Sequence, residues 1–187
     1  MDEKKEKVIE SIRRDRFKGI WEYRDISWTR DKEFTADKEF MLEVVKYYRN
    51  SLKYASEELK ADKDVVLEAI KQDGKALTYA SEELTADKEF MLEAVKCAGC
   101  SLECASEELK ADKDVVLEAI KQDGRALTYA SRELRADKDV VLEAIKKHAR
   151  AFASVSEELK ADKDIVLIAV KKMRSKLKAC KWRTKSR

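Results

Sequence analysis

The sequence predicts an all-α fold: a right-handed α-solenoid of short two-helix repeats with a period of 25 residues. Two observations predict it. The stretch 61–85 returns almost unchanged at 111–135, and a related stretch at 36–60 returns at 86–110. Within each stretch the apolar residues follow helical spacing. A pair of short helices cannot bury its apolar face alone, so we expect about seven stacked units, including degenerate ends.

The composition is compatible with packed helices. Charged residues make up 42% of the chain, but they nearly cancel to a net charge of +3, and 44% of residues are hydrophobic. Because this apolar content recurs at fixed positions, the chain is not of the disordered class. There is no proline and there are only four glycines, so long helical runs are allowed.

The start of the chain and its cysteines bear on location. The first ten residues, MDEKKEKVIE, lack the apolar core of a signal peptide, and no run approaches the ~18 apolar residues of a membrane span. Four cysteines without such a signal suggest reduced thiols. We expect an intracellular protein, cytoplasmic or nuclear, with no membrane span.

The chain divides into an irregular start, an array and a basic end. Residues 1–35 are predicted to form a degenerate capping repeat, in which Val8, Ile9 and Ile12 resemble the first half of a repeat. The aromatic residues Phe17, Trp21, Tyr23 and Trp28 would close the core there, although an aromatic docking patch is the alternative. The array occupies 36–170, with repeats at 36–60, 61–85, 86–110, 111–135, 136–160 and the start of a last one at 161–170; the basic end is 171–187.

One continuous helix does not fit the pattern. At about 100° per residue, Leu67 and Leu84 fall on different sides of such a helix. Each repeat is therefore predicted to hold two short helical segments. The expected core of the second repeat consists of the residues Val66, Leu67, Ile70, Leu77, Ala80 and Leu84.

Capping residues mark the segment ends. Asp62 is a good N-cap for the first helix. Gly74 is placed to end that helix in a left-handed conformation, and Gly99 and Gly124 repeat it. Ser81 either lies inside the second helix or caps a separate short turn, SEEL, and we favour the short turn.

The repeated pattern, read as DKDVVLEAIKQDGKALTYASEELKAD, resembles a family. It is similar to tandem repeats catalogued as a domain of unknown function, each about two of these units long, and found in protists, algae, viruses and bacteria. The resemblance covers about 36–173 and implies a helical array, with no established activity. A weaker likeness is to leucine-rich-variant repeats, which alternate an α-helix with a 3₁₀ helix.

Catalytic motifs are sparse. The single histidine, His148, takes the place of Asp73 and Asp123 of other repeats, and we interpret it as an exposed structural residue. The sequence has no Gly-rich phosphate loop, no HExxH and no nucleophile elbow. Glu68 and its equivalents occupy one outward position with a lysine a turn away. We expect a protein that is not an enzyme and needs no cofactor.

Three cysteines cluster in the third repeat. Cys97 and Cys100 straddle Gly99 as C-x-x-C, and Cys104 follows one helical turn later. They could bind zinc or form a redox pair, although no histidine is near to complete a zinc site. The other interpretation is that they are small apolar side chains. Cys180 falls at the core position of Ala80 and is predicted to be buried.

The C-terminal end is strongly basic. From Lys171 to Arg187 there are nine basic residues and no acidic one. The segment could bind nucleic-acid phosphates, an acidic membrane surface or an acidic protein, act as a nuclear address, or be a solvated tail. Trp182 either stacks on a base or covers the end of the last repeat, and we favour the cover. Ile168 replaces the outward glutamate.

The expected function is that of a monomeric scaffold that binds a protein partner of unknown identity through an extended surface. Nucleic-acid binding by Lys171–Arg187 is the alternative, and a metal or redox site at the cysteines is a third. The variable positions around the inter-helix turn are the expected contact surface. The candidate residues are Tyr47, Tyr48, Asn50, Gln72, Lys75, Gln122, Arg125, Lys147 and Arg150.

Overall fold

The computed structural model describes residues 3–18, 27–48 and 50–185, with side chains except those of 15–18, 27 and 175–185. The regular structure of these residues is entirely helical and includes no strand, so the chain is an all-α repeat solenoid, as predicted. The predicted right-handed sense stays a prediction. Phe17, Trp21, Tyr23, Cys180 and Trp182 lie outside the described side chains.

The structure contains α-helices and short 3₁₀ helices. The α-helices are α1 (Glu3–Lys18), α2 (Lys32–Thr35), α3 (Lys38–Tyr47), α4 (Glu57–Lys60), α5 (Lys63–Gln72), α6 (Glu82–Ala86), α7 (Lys88–Cys97), α8 (Glu107–Lys110), α9 (Lys113–Gln122), α10 (Lys138–Lys147), α11 (Glu157–Lys160) and α12 (Lys163–Lys185). The 3₁₀ helices are η1 (Ser27–Arg30), η2 (Ser51–Tyr54), η3 (Gly74–Tyr79), η4 (Gly99–Cys104), η5 (Gly124–Tyr129), η6 (Leu134–Ala136) and η7 (Ala149–Ser154).

Each full repeat holds three helical segments rather than the predicted two. A ten-residue α-helix is followed by a 3₁₀ helix and then by a short turn that is α-helical or, at η6, 3₁₀. Ser81 caps the separate turn, since its hydroxyl accepts a hydrogen bond from the backbone N–H of Leu84 at 3.4 Å. The short-turn interpretation of SEEL is therefore confirmed. The rest of the predicted second helix is 3₁₀, from Gly74 to Tyr79.

The long helix begins as predicted but ends differently. The Asp62 carboxylate accepts hydrogen bonds from the backbone N–H groups of Asp64 and Val65 at 3.1 and 3.2 Å, which satisfies the first turn. The helix ends at an extended residue, Asp73, rather than at a left-handed glycine. The backbone of Gly99 and Gly124 is not left-handed either, so that part of the prediction was wrong.

A close approach between repeats explains the glycines. A Cβ added to Gly124 would lie 2.3 Å from the carbonyl oxygen of Ala144, and one added to Gly99 would lie 2.7 Å from that of Ala119. Real Cβ atoms do not come so near to backbone oxygens. At Gly99 and Gly124 glycine is therefore required, because the start of the 3₁₀ helix touches the long helix of the next repeat.

The core uses more of the long helix than predicted. Val66, Ile70, Leu77 and Leu84 are buried, as expected. Positions that we did not assign to the core, Val65, Ala69 and Ala76, are buried as well, whereas Leu67 and Ala80 are only half-buried. The long helix is covered on two sides because 3₁₀ segments and neighbouring long helices both pack on it.

Contacts group the chain into two halves, Met1–Phe90 and Met91–Arg187, which we describe separately. In the first half α1 packs on α3, with Ile9 and Ile12 buried and Val8 half-buried. Trp28 is 1% exposed and meets Phe40 edge to face at a centroid distance of 5.7 Å. Trp28 therefore belongs to the core and is not a docking surface.

Two ladders join successive repeats. In four repeats the lysine that follows the N-cap aspartate pairs with the N-cap aspartate of the next repeat, for example Lys63 with Asp87 at 2.6 Å and Lys138 with Asp162 at 2.8 Å. The backbone supplies the second ladder. The N–H of Ser81, for example, donates to the carbonyl of Lys60 at 2.9 Å. Equivalent bonds in both halves repeat at the 25-residue spacing.

Asp137 allows the ladder to be tested separately from the cap. Its carboxylate pairs with Lys113 at 2.7 Å and also accepts from the N–H groups of Asp139 and Val140. In Asp137→Asn the side-chain oxygen can still cap the helix, but the ion pair with Lys113 is lost. In Asp137→Ala both the cap and the ion pair are lost. Because the pair is solvent-exposed, we expect Asp137→Asn to cost about 0.2–1 kcal/mol and Asp137→Ala about 1 kcal/mol more in chemical unfolding at pH 7.

The pH dependence follows from the same contacts. The hydrogen bond from Lys113 lowers the pKa of Asp137. A lowered pKa gives stability that is complete above the unfolded value of about 3.9 and is lost as pH falls through the folded value. The difference between wild type and Asp137→Asn is therefore expected to shrink between pH 5 and pH 2.5. A difference that stays constant would contradict the ion-pair explanation.

Ser101 is a buried hydroxyl without a partner. It is 0% exposed, and its oxygen makes no hydrogen bond with any described residue. The equivalent residues of other repeats include Ala76 and Ala126. We expect Ser101→Ala to raise the free energy of unfolding by about 1–2 kcal/mol, because an unsatisfied buried hydroxyl is removed. The matched control is Ser106→Ala, which removes the N-cap of α8 and should cost about 1 kcal/mol. A destabilised Ser101→Ala would contradict the assignment.

The last repeat differs from the others. The sequence predicts the start of a repeat at 161–170, followed by a separate basic end at 171–187. Instead α12 continues without a break from Lys163 to Lys185, through Arg174 and most of the basic segment. The 3₁₀ helix found after the other long helices is absent at this place among the described residues.

Candidate functional site

A groove of about 780 Å³ lies on the long helices of the second half. Its lining comes from α7, α9 and α10. The lining residues are Leu92, Lys96, Asp114, Leu117, Glu118, Ile120, Lys121, Glu143, Lys146 and Lys147. Three successive repeats therefore contribute equivalent surfaces to a single depression.

The floor of the groove is apolar. Leu92 and Leu117 are equivalent leucines of successive long helices, and both are half-buried. Ile120, one turn further along α9, is 1% exposed and closes the floor. These two half-buried leucines form an apolar column that solvent reaches, which is the typical composition of a protein-binding surface.

Charged pairs form the walls. Glu118 and Lys121 lie three residues apart on α9 and pair at 2.8 Å, and Glu143 and Lys146 do so on α10 at 2.7 Å. These glutamates were predicted to face outward with a lysine one turn away, and the pairing is confirmed. In Glu118 the side chain is only 20% exposed, so it lies against the groove rather than in open solvent.

Two lysines of the groove are available to a ligand. Lys96 and Lys147 are exposed, and neither has an ion-pair partner within the part of the chain that the structure describes. Their ammonium groups can therefore accept a carboxylate without breaking an existing pair. The groove thus combines an apolar floor with uncommitted positive charge.

Of the predicted turn residues, Lys147 is the one among the lining residues of this groove. Tyr47 and Tyr48 are half-buried; Tyr48 stands edge to face with Trp28 at 6.3 Å, and the Arg13 guanidinium lies 5.1 Å from the Tyr47 ring centroid. The remaining predicted residues are exposed: Asn50, Gln72, Lys75, Gln122, Arg125 and Arg150.

Arg125 is already engaged by its own turn. Its Nε donates to the Asp123 carboxylate at 2.8 Å, and this hydrogen bond raises the pKa of Arg125 and lowers that of Asp123. The Asp123 carboxylate also accepts from the Arg125 backbone N–H at 2.9 Å. Asp123 therefore starts η5 and fixes the arginine beside it.

His148 has the same structural role. It is half-buried rather than exposed, and its Nδ1 accepts from the backbone N–H of Arg150 at 3.2 Å. This is the hydrogen bond that Asp73 and Asp123 make in their repeats. The expectation of an exposed histidine was wrong, while its structural role agrees with the capping contact.

The cysteines do not form a ligand set. Cys97 and Cys100 are exposed and Cys104 is half-buried, and no disulfide joins them. Across residues 3–18, 27–48 and 50–185, no three His, Cys, Asp or Glu side chains come together as a metal site would require.

The fold and the groove define the class of protein, an all-α repeat solenoid with an open apolar depression on its long helices. The chain belongs to the family described as Domain of unknown function (DUF4116), whose profile matches residues 37–85, 87–135 and 137–179. The first two matches each span two of the 25-residue repeats, which agrees with units of about 50 residues, and the third covers the fifth repeat and part of the last. Comparisons with curated proteins and with solved structures gave no match.

The sequence pattern does not predict the groove, because it assigns Leu67 and its equivalents to the core. A signal was present. In each long helix of repeats one to five this leucine is followed by a glutamate and then by a lysine one turn later. A leucine beside a charged pair on the same side of a helix indicates a rim position rather than the centre of a core.

Proposed function

We propose that this protein is a non-enzymatic scaffold that binds a protein partner in the groove of α7, α9 and α10. The supporting observation is the half-buried leucine column bordered by lysines. Apolar surface that solvent reaches in a defined depression contributes binding free energy when a partner covers it. The charged walls would select which partner does so.

The chemistry of the groove defines the partner. The leucine floor takes aliphatic or aromatic side chains, and Lys96 and Lys147 favour carboxylates beside them. The best fit is an acidic segment with apolar residues at regular spacing. Such a segment would bury side chains against Leu92 and Leu117 and place carboxylates within reach of the two lysines.

Charge reversal tests the proposal. Lys96→Glu/Lys121→Glu changes two exposed residues of the groove, and Arg150→Glu is a matched control on the predicted turn surface. The three proteins would be used as bait in lysate of the native cell, and captured proteins compared by mass spectrometry. We expect a specific partner to be lost with the groove variant and kept with Arg150→Glu. The opposite pattern would move the interface to the turns and contradict the groove.

Nucleic-acid binding is a second candidate, supported by α12. The helix continues to Lys185 and carries eight of the nine basic residues of Lys171–Arg187, a segment without an acidic residue. A salt-dependent gel shift of DNA or RNA, lost on truncation after Val170, would support this function. Absence of any shift at low salt would end it.

We also place the protein inside the cell, in the cytoplasm or nucleus, and as a monomer. The cysteines support a reducing compartment. No described helix is both long and apolar enough to cross a membrane. Fluorescent tagging in the native cell and sedimentation of the purified chain would test both assignments.

A further inference from the structure

The outer face of α12 is apolar and uncovered. Leu167 is 51% exposed, Val170 44% and Met173 40%. They lie three residues apart, so they form one stripe along the helix. Ile165 and Ala169 of the same helix are buried, at 0% and 2% exposed. The exposed stripe is therefore additional to the face with which α12 packs on α10.

The Val170 position of this face is covered in the preceding repeats, whereas Leu117 and Leu142, which correspond to Leu167, are half-buried. Ile120 and Ile145, which correspond to Val170, are 1% and 0% exposed. In those repeats a 3₁₀ helix packs on the long helix, and the next long helix packs beside it: η5 and α10 on α9, η7 and α12 on α10. The protein itself thus shows which kind of element fits this surface.

The charged residues beside the stripe also indicate which kind of element fits it. Lys113 and Lys138 each bind the N-cap aspartate of the next repeat, at 2.7 and 2.8 Å. Lys163 holds the equivalent place on α12, is exposed, and has no partner among the residues that the structure describes. Lys171 and Arg174, also exposed, add positive charge beside the stripe. The surface therefore favours an element whose first turn is acidic.

We propose that the outer face of α12 binds an amphipathic helix with an acidic N-terminal turn, supplied by a helical repeat of another protein, in the manner in which α12 covers α10. The partner's N-cap aspartate would pair with Lys163, and its apolar side would cover Leu167, Val170 and Met173. This surface is separate from the groove and does not rest on the function proposed for it.

A second copy of this chain is a poorer occupant. Stacked head to tail, it would present α1, whose residues Glu6, Glu10 and Arg13 are exposed and charged. Burying such charges against leucine and valine is unfavourable. Two α12 helices packed together would bring two basic segments near each other, which is unfavourable as well.

The probe is a fluorescent synthetic peptide with the sequence of residues 111–160, two repeats that begin with an N-cap aspartate. Binding to the full chain would be measured by anisotropy. We expect Leu167→Glu/Val170→Glu to weaken binding at least tenfold, and Lys163→Glu two- to fivefold, the range of an exposed ion pair. Lys96→Glu/Lys121→Glu should leave it unchanged, which separates this proposal from the groove.

The contrary results are specific. All altered residues are exposed, and circular dichroism would verify that the variants keep the fold. No binding by the wild-type chain, or binding that survives Leu167→Glu/Val170→Glu, would overturn the proposal. Self-association that this double variant abolishes would make a second copy the occupant. If Leu167→Glu/Val170→Glu lost duplex DNA binding but kept peptide binding, the occupant of this face would be a nucleic acid. Either outcome would also overturn it.

Discussion

Replacing Leu127 with alanine is expected to lower the free energy of unfolding by about 2–5 kcal/mol. Leu127 is 0% exposed and lies in η5, which packs on α9, α10, η4 and η7. The cavity left by the substitution would lie where several elements meet, so the surrounding side chains can move little to fill it. Chemical denaturation followed by circular dichroism would measure the loss.

Two other leucines of the same half are matched controls. Leu117 is half-buried at the groove, and Leu167 is 51% exposed. We expect Leu117→Ala to cost less than half as much as Leu127→Ala, and Leu167→Ala to stay within about 0.5 kcal/mol of wild type. Equal losses at the three positions would show that the assigned burial is incorrect.

The second large effect is expected from Gly124→Ala, at about 1–3 kcal/mol of destabilisation. The added methyl group would lie 2.3 Å from the Ala144 oxygen and 2.9 Å from the His148 nitrogen. Both are backbone atoms, so relief requires a shift of α10 relative to η5. Thermal and chemical unfolding would both report the loss.

The size of the clash predicts an order among variants. Gly99→Ala, with its nearest contact at 2.7 Å, should cost less than Gly124→Ala. Gln122→Ala, an exposed change two residues from Gly124, should stay within about 0.5 kcal/mol of wild type. If Gly124→Ala were neutral or stabilising, the close contact between repeats would be wrong.

The sequence predicted those parts of the fold that depend only on residues close together in the chain. Asp62 and Ser81 could be assigned as caps because an N-cap needs only its own first turn. The apolar spacing showed that Leu67 and Leu84 would fall on different sides of one straight helix. This predicted that each repeat divides into separate helical segments and that the repeats stack.

The remaining features depend on contacts between repeats. Residues 74–79 fit an α-helix or a 3₁₀ helix equally well by spacing, and their packing decides. Gly124 is explained only by a carbonyl twenty residues further on, in α10. The half burial of Leu117 depends on how the long helices are spaced, which a single repeat does not encode.

The continuous α12 has a related explanation. In the other repeats of the second half the 3₁₀ helices pack between long helices, as η5 does against α9 and α10. No long helix follows α12 among the described residues, so that packing is missing. Without it, residues such as Lys171 and Lys172 keep the α-helical hydrogen bonding that their propensities favour.

Site-specific photo-crosslinking tests the central claim, that the groove of the long helices is the protein-binding surface. Benzoylphenylalanine would replace Lys121 in the groove or Arg150 on the turn surface, and the native cell would be irradiated. We expect a discrete crosslinked partner from position 121 and none from position 150, with the product lost when Lys96→Glu is added. A partner crosslinked from position 150 and not from 121 would contradict the claim.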